Sequence, residues 1–337
     1  MRLKVNPGLW VAVVLILFSF LPSAPGCLPV PGMPAVPLEK VTIGTYSGEW
    51  SGLIFIAEKK GYFTEIGLDA EVKLYESGPA AIKDLEARKL DIAGSAEFPF
   101  VSLSPGMPDL RIMGAITRAD TIQVIARKDH GIASPLDIKG KEVGVVFQSN
   151  GDYYLGLFLL YNNLALSDIK RVNMSPQQIT DNLTAGDIGA VIIWEPHVYN
   201  LRERLGDKVV TWPAQAGQDF YWLVISRDEV LKARPTLGEK FFSAMIRAEA
   251  FAAEHPEEAQ AIVAQRLNVS DAYIKYTWPK SKLEVSLPQA LLIVMEDEAR
   301  WMIKNGLTAV NKVPNYINYI YFDGIQAVKP GAVTIIR

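Results

Sequence analysis

From residue 41 onward the chain alternates short apolar runs with longer amphipathic stretches. Residues 41–46 predict a strand, 53–60 a helix closed by Gly61, and 70–75 a second strand. A helix follows over 79–87, with Pro79 in its first turn, where a missing N–H is tolerated. Residues 91–95, 110–117 and 121–127 predict three more strands. The second stretch repeats the style. It has strands over 142–146, 169–173, 190–194, 209–212 and 221–226, and helices over 151–164, 177–184 and 195–205. Then the pattern turns helical over 236–255, 256–267 and 287–305, with apolar residues three and four apart. Strands alternating with helices imply parallel βαβ units, hence an α/β fold.

The first 40 residues carry a different pattern. Arg2 and Lys4 precede an uncharged apolar run over 9–21. That run is well short of the roughly 20 residues a membrane-spanning helix needs. Pro22 and Pro25 break it and small residues follow, which is the layout of a secretory signal peptide over 1–26. Cys27, the one cysteine, stands directly after Gly26 and resembles a lipobox cysteine that becomes a lipidated N-terminus. Ala24 stands where leucine is usual, and Pro25 is an uncommon choice. Plain cleavage that leaves Cys27 a free thiol and an uncleaved anchor are the alternatives. Pro29, Pro31, Pro34 and Pro37 make residues 27–38 a semi-rigid spacer behind the lipid.

Composition narrows the classes further. The 337 residues are 49% hydrophobic and 21% charged, which excludes disorder. One cysteine excludes a disulfide scaffold and a thiolate zinc site. Three histidines leave little material for a His-rich metal site, and no cofactor is expected. A pI of about 5.8 argues against a nucleic-acid surface. Without Arg2 and Lys4, 32 basic residues face 37 acidic ones, a net charge of −5 with no polybasic membrane patch. The length suggests about two domains or lobes.

Five segments together resemble the nitrate/sulfonate/taurine and thiamine-precursor group of solute-binding proteins. IGTYSGEWSGLIFIAEKKGYFTEIGLDAEV resembles that group's opening strand, loop and helix. AAIKDLEARKLDIAGSAEFPFV resembles the next unit, with Arg88 or Lys89 where a glycine is usual. ASPLDIKGKEVGVVFQSNGDYYL resembles the opening of a second lobe, and AGDIGAVIIWEPHVYNL the Trp-Glu-Pro element. FYWLVISRDEVLKARP and AEHPEEAQAIVAQ resemble the return to the first lobe. The resemblance implies a periplasmic binding protein type II fold, two-lobed, with doubly wound sheets joined by two crossover strands near 121–128 and 221–226. Lobe 1 is then 39–126 plus 223–337, and lobe 2 is 127–222. It implies an exported, lipid-anchored, monomeric carrier that hands a small-molecule solute to an ABC permease and ATPase.

In doubly wound sheets a ligand sits beyond the C-terminal strand ends, near helix N-termini. That rule and the resemblance select the same segments. Tyr46, Ser47, Glu49 and Trp50 follow the first strand, with Trp50 as a core residue the alternative. Glu97 and Phe98 follow another, where Glu97 either accepts from a ligand N–H or answers a helix dipole. Thr117 and Arg118 stand at the first crossover, where Arg118 either pairs with a ligand anion or is exposed or paired with Asp120. Ser149, Asn150 and Asp152 stand before a helix, as an anion site or a simple cap. Asp152 makes a bare oxyanion less comfortable there. Trp194 and Glu195 are read as facing the cleft, and His197 as an ordinary helix residue. Tyr221 and Trp222 stand at the return crossover, against the ligand or in hinge packing. Aromatic faces with carboxylates suit a flat cationic or N–H-rich heterocycle better than a bare anion such as a sulfonate.

Enzymes share this fold, including a cysteine desulfinase and a pyrimidine-precursor synthase. Cys27 lies in the signal region, so the folded part offers no thiol nucleophile. No nucleophile elbow surrounds any serine near His130, His197 or His255. The chain is therefore read as a non-enzyme. A sensory or partner-presenting receptor on the same fold is the rival reading.

Overall fold

The computed structural model describes residues 37–337, so the signal segment, Cys27 and most of the proline-rich spacer lie outside the described residues. The first sheet begins with β1 (Glu39–Tyr46), β2 (Leu68–Tyr75), β3 (Ile92–Ala96) and β4 (Leu110–Ala119). β1 lies between β2 and β3 and is parallel to both. All five residues of β3 are buried, so it reads as a continuous apolar run. β2, at the edge, is buried only at Leu68 and otherwise half-buried or exposed.

After residues 120–122 the chain builds a second sheet. Its strands are β5 (Gln123–Arg127), β6 (Glu142–Val145), β7 (Lys170–Asn173), β8 (Ala190–Ile193) and β9 (Val209–Pro213). Their order is β7-β6-β8-β5-β9. Residues 214–219 then lead back, and β10 (Phe220–Arg227) inserts between β3 and β4 of the first sheet. The edge strand β11 (Ser281–Ser286) completes the order β11-β4-β10-β3-β1-β2.

Pairing is mixed where strand-helix alternation implies parallel. β10 is antiparallel to β3 and β4, β11 to β4, and β5 to β8 and β9. The cause is the double crossing, because a chain returning from the second sheet enters the first one head-down. Measured by sheet pairing, residues 123–126 belong with the second sheet and residues 220–222 with the first, so the expected lobe boundaries at 126/127 and 222/223 each shift by a few residues.

The two crossings are pinned by one side chain. Backbone that leaves a sheet loses its ladder partners, and those groups need others. Gln215, fully buried, accepts from Thr121 N at 2.8 Å and Ile122 N at 2.9 Å. Its amide nitrogen donates to Ala119 O at 2.9 Å and Gln218 O at 2.8 Å.

The helix Asn150–Tyr161 carries the second sheet's side of the cleft against the first sheet's helices. Phe98, in helix Glu97–Leu103, stacks on Tyr153 with ring centroids 5.5 Å apart. Gly156 lies against Trp301 of helix Gln289–Lys304, and a Cβ at Gly156 would stand 2.5 Å from that indole. No helix among the described residues is long and apolar enough to cross a membrane.

Candidate functional site

The C-terminal ends of strands from both sheets converge on one cavity. β1 ends at Tyr46, and a short turn, Glu49–Ser51, places Trp50 back over it. The two rings stack with centroids 4.7 Å apart and 30° between planes. Trp222 on β10 lies 5.9 Å from Tyr46 and 5.4 Å from Trp50. Gly94 on β3 makes room for it, since a Cβ there would meet the Trp222 indole nitrogen at 2.9 Å. Trp194, just beyond β8 of the second sheet, approaches Tyr46 and Trp50 at 6.4 Å each. Phe220 closes the box edge-on to Trp50 at 4.7 Å. Every one of these rings is buried.

The sheets are drawn together here. Tyr46 Oη donates to Glu195 O at 2.7 Å across the cleft. The space left between the rings is ≈ 20 Å³, enough for about one water. Anything larger than a water does not fit in that space as it stands.

Buried polar atoms are normally paired. Around this cavity several are not: Trp50 Nε1, Trp194 Nε1, Ser95 Oγ and both polar atoms of the Asn150 side chain. One oxygen each of Glu49, Glu97 and Glu195 is also unpartnered, and each of these acids adjoins a lining residue in sequence. Two donors, an amide and three acids make a set suited to a ligand with both ring acceptors and N–H donors.

The acids are held away from ordinary behaviour. Glu97 accepts from Tyr221 N at 2.9 Å, yet burial pushes it up to about 8. The nearby Asn150 amide opposes that rise without meeting full hydrogen-bond geometry. Glu195 accepts from Tyr199 N at 2.9 Å, and burial, then the charge of Glu49, raises it to about 7. Lys280 Nζ is 3.8 Å from its other oxygen, too far for a hydrogen bond. Burial also raises Glu49, which accepts from Tyr273 Oη at 2.7 Å. His197 is pushed down to about 4 by burial, with its Nδ1 3.2 Å from Thr180 Oγ1.

Of the residues selected from sequence, Tyr46, Trp50, Ser149, Asn150, Trp194 and Trp222 line the cavity together. Glu49, Glu97 and Glu195 stand directly behind such residues. The others are placed differently. Ser47 donates to Tyr75 O at the edge of the cleft. Thr117 supports the site from behind, donating to Trp50 O at 2.7 Å. Arg118 turns outward to Glu284 at 3.1 Å and Asp219 at 3.6 Å, not to Asp120. Asp152 pairs with Arg171 and accepts from Gln148 N. Phe98 packs in the seam on Tyr153, and Tyr221 offers its backbone to Glu97.

Ser77, Gly78, Pro79 and Phe220 also line the cavity and are additions to that selection. The first three follow β2 at a helix start, so the strand-end rule reaches them too. Tyr273 and Lys280 have no local signal, because they arrive from a distant helix. Among the described residues no cluster of His, Cys, Asp or Glu is arranged to hold a metal ion.

Comparison with known proteins points the same way. The NMT1/THI5-like family matches residues 51–259. A protein of Brucella abortus (strain 2308), named as a binding protein, is 26% identical over 242 residues, covering 70% of this chain and 74% of that one. A Haemophilus influenzae protein named for thiamine biosynthesis is 27% identical over 248 residues, covering 70% and 76%. Among solved structures, the alkanesulfonate-binding protein of Xanthomonas axonopodis pv. citri bound to MOPS superposes with a TM-score of 0.73 at 15% identity. That match covers 86% of this chain and 100% of the other. A desulfurization enzyme shares the fold with a TM-score of 0.61 at 15% identity, over 86% of this chain and 98% of that one. These likenesses show the periplasmic binding protein fold with its two sheets, as the sequence resemblance implies.

Proposed function

We propose, from the premise that this chain belongs to the NMT1/THI5-like family, that it is the extracytoplasmic solute-binding component of an ABC importer, specific for a flat nitrogen heterocycle. It captures the solute between a lobe built on the first sheet, 39–122 plus 220–337, and a lobe built on the second, 123–219. Cys27 carries the lipid that keeps it at the membrane, and a permease and ATPase receive the solute from the monomer.

The supporting observation is the character of the cavity wall. Tyr46, Trp50, Trp194, Phe220 and Trp222 supply flat faces, and no lining residue is basic. A ring entering between Tyr46 and Trp50 on one sheet and Trp194 on the other buries both faces. Its N–H groups meet Glu49, Glu97 or Glu195, and its ring nitrogens accept from the free indole N–H groups. Closure then remakes the Tyr46–Glu195 bond over it. Ligand-driven closure of this kind is a hinge motion in which the ligand favours the closed state.

Isothermal calorimetry tests the ligand class. Aminopyrimidines are expected to bind, and ethanesulfonate and nitrate to bind weakly or not at all. Tight binding of the sulfonate with no response to the heterocycles overturns the heterocycle and leaves the carrier role. The free donors of Trp50, Trp194 and Asn150 are what a sulfonate would use.

A further inference from the structure

Two buried acids meet in the seam between the sheets, and one of them, Glu298, is not among the groups placed around the cavity. Glu298, on helix Gln289–Lys304, is fully buried, and both of its carboxylate oxygens lack a partner. Glu97 lies near enough for its charge to act on Glu298, and is itself fully buried, with one oxygen bonded to Tyr221 N and the other unpartnered. Tyr153 and Tyr154 of the second sheet's helix Asn150–Tyr161 lie close to both acids. Tyr153 stacks on Phe98 and meets Trp301 edge-on at 5.5 Å, and Gly156 lets the helices touch. The titratable groups around the pair are Tyr153 and Tyr154 from that helix, Tyr221 from β10, Tyr316, and Asp297 beside Glu298, with Asp120 beyond Tyr154. None of these is a cation.

Two uncompensated charges cannot share such a site, because a buried carboxylate without a partner takes a proton instead. Parting the sheets lifts Tyr153 and Tyr154 away and admits water, in which the carboxylate ionises near its ordinary value. We infer that closure of the two sheets takes up protons from solvent at Glu97 and Glu298, so that the closed form is favoured in acid and opposed in alkali. The sign follows from the raised closed-state values. Proton uptake on closure begins above about 4.5 and, for Glu97, ends at about 8. Across that window each proton taken up changes the closed-to-open ratio by up to about tenfold per pH unit. The inference rests on the reading of the sheets as closing lobes, but not on what solute they hold.

The test needs no solute. Small-angle scattering of the ligand-free mature chain is recorded from pH 5.5 to pH 9, with far-UV circular dichroism as a check on folding. The wild type is expected to expand across this range with unchanged secondary structure. The double variant Glu97→Gln, Glu298→Gln is expected to stay compact throughout. A wild-type profile that is flat, or an expansion that persists unchanged in the double variant, overturns the inference. Infrared spectroscopy of the wild type covers the case of a variant that misfolds. The carbonyl stretch of protonated carboxyls should be present at pH 7 and fade as the molecule expands, and its absence at pH 7 also overturns the inference. Either failure leaves the solute titrations of the carrier reading intact.

Discussion

Replacing Glu298 with glutamine should stabilise the folded chain, and by more as pH rises. Glu298 is fully buried, and burial, then the neighbouring Glu97 and Asp297, hold its pKa well above the ordinary value. In the unfolded chain the same carboxyl ionises near about 4.3. Its folded value is raised, so its contribution is complete below about pH 4.3 and is lost as pH rises toward the folded value. Above about pH 4.3 this loss grows by up to about 1.4 kcal/mol per pH unit, so it is small at pH 5 and larger at pH 7. Glutamine has nearly the same shape and is neutral in both states, so this loss vanishes while the cost of burying an unpaired polar group stays similar. Urea denaturation of both proteins at pH 5, 6, 7 and 8 reads the difference directly. The advantage of the variant should grow with pH, by up to about 1.4 kcal/mol per unit, and level off where opening of the seam lets water reach the acid. A difference that does not change with pH, or a variant less stable than wild type at pH 8, would refute the reasoning.

Three further outcomes follow from other parts of the site. Tyr46→Phe removes the donor to Glu195 O and leaves a buried carbonyl unpaired, which costs about 1–3 kcal/mol in the closed form. The calorimetric affinity for the best-binding aminopyrimidine should fall about 5- to 150-fold, and an unchanged affinity would show that the bond does not hold the cleft shut. His197, pushed down to about 4, should stay neutral in an NMR pH titration until well below the usual histidine range. Its folded value is depressed, so stability should decline by up to a few kcal/mol as pH falls from about 6.5 to 4; a ring titrating near 6.5 contradicts the burial argument. Gly156→Ala adds a methyl only 2.5 Å from the Trp301 indole. The helix itself should gain from the substitution, so a folded protein with solute affinity reduced at least about tenfold is expected, and equal affinity would mean that the seam does not close as described.

Much of the site was legible because it follows the direction of the strands. Ligands sit at C-terminal strand ends in doubly wound sheets. That rule and the family resemblance together select 46–50, 149–150 and 194–195, the return crossover adds Trp222, and the fold delivers most of them to one cavity. The strand-end rule also reaches Ser77–Pro79 after β2. Glu298 carries a quieter signal. It shares a helical face with Leu291, Met295 and Met302, all buried, although its immediate neighbours Asp297 and Arg300 make the stretch look solvated.

Sequence by itself determined the apolar periodicities, and with them the elements, the α/β class and the strand ends where chemistry collects. These are local properties, written at a period of two or of about 3.6 residues. Only the tertiary structure decided which way β10 runs, since strand direction depends on the sheet to which the chain returns. It turned Arg118 outward onto Glu284 of β11, an edge strand 166 residues away. It brought Tyr273 to Glu49 across 224 residues. Above all it set the protonation of Glu97, Glu195 and Glu298, because a carboxyl's charge depends on the water and partners around it, which arrive from segments the local pattern does not connect.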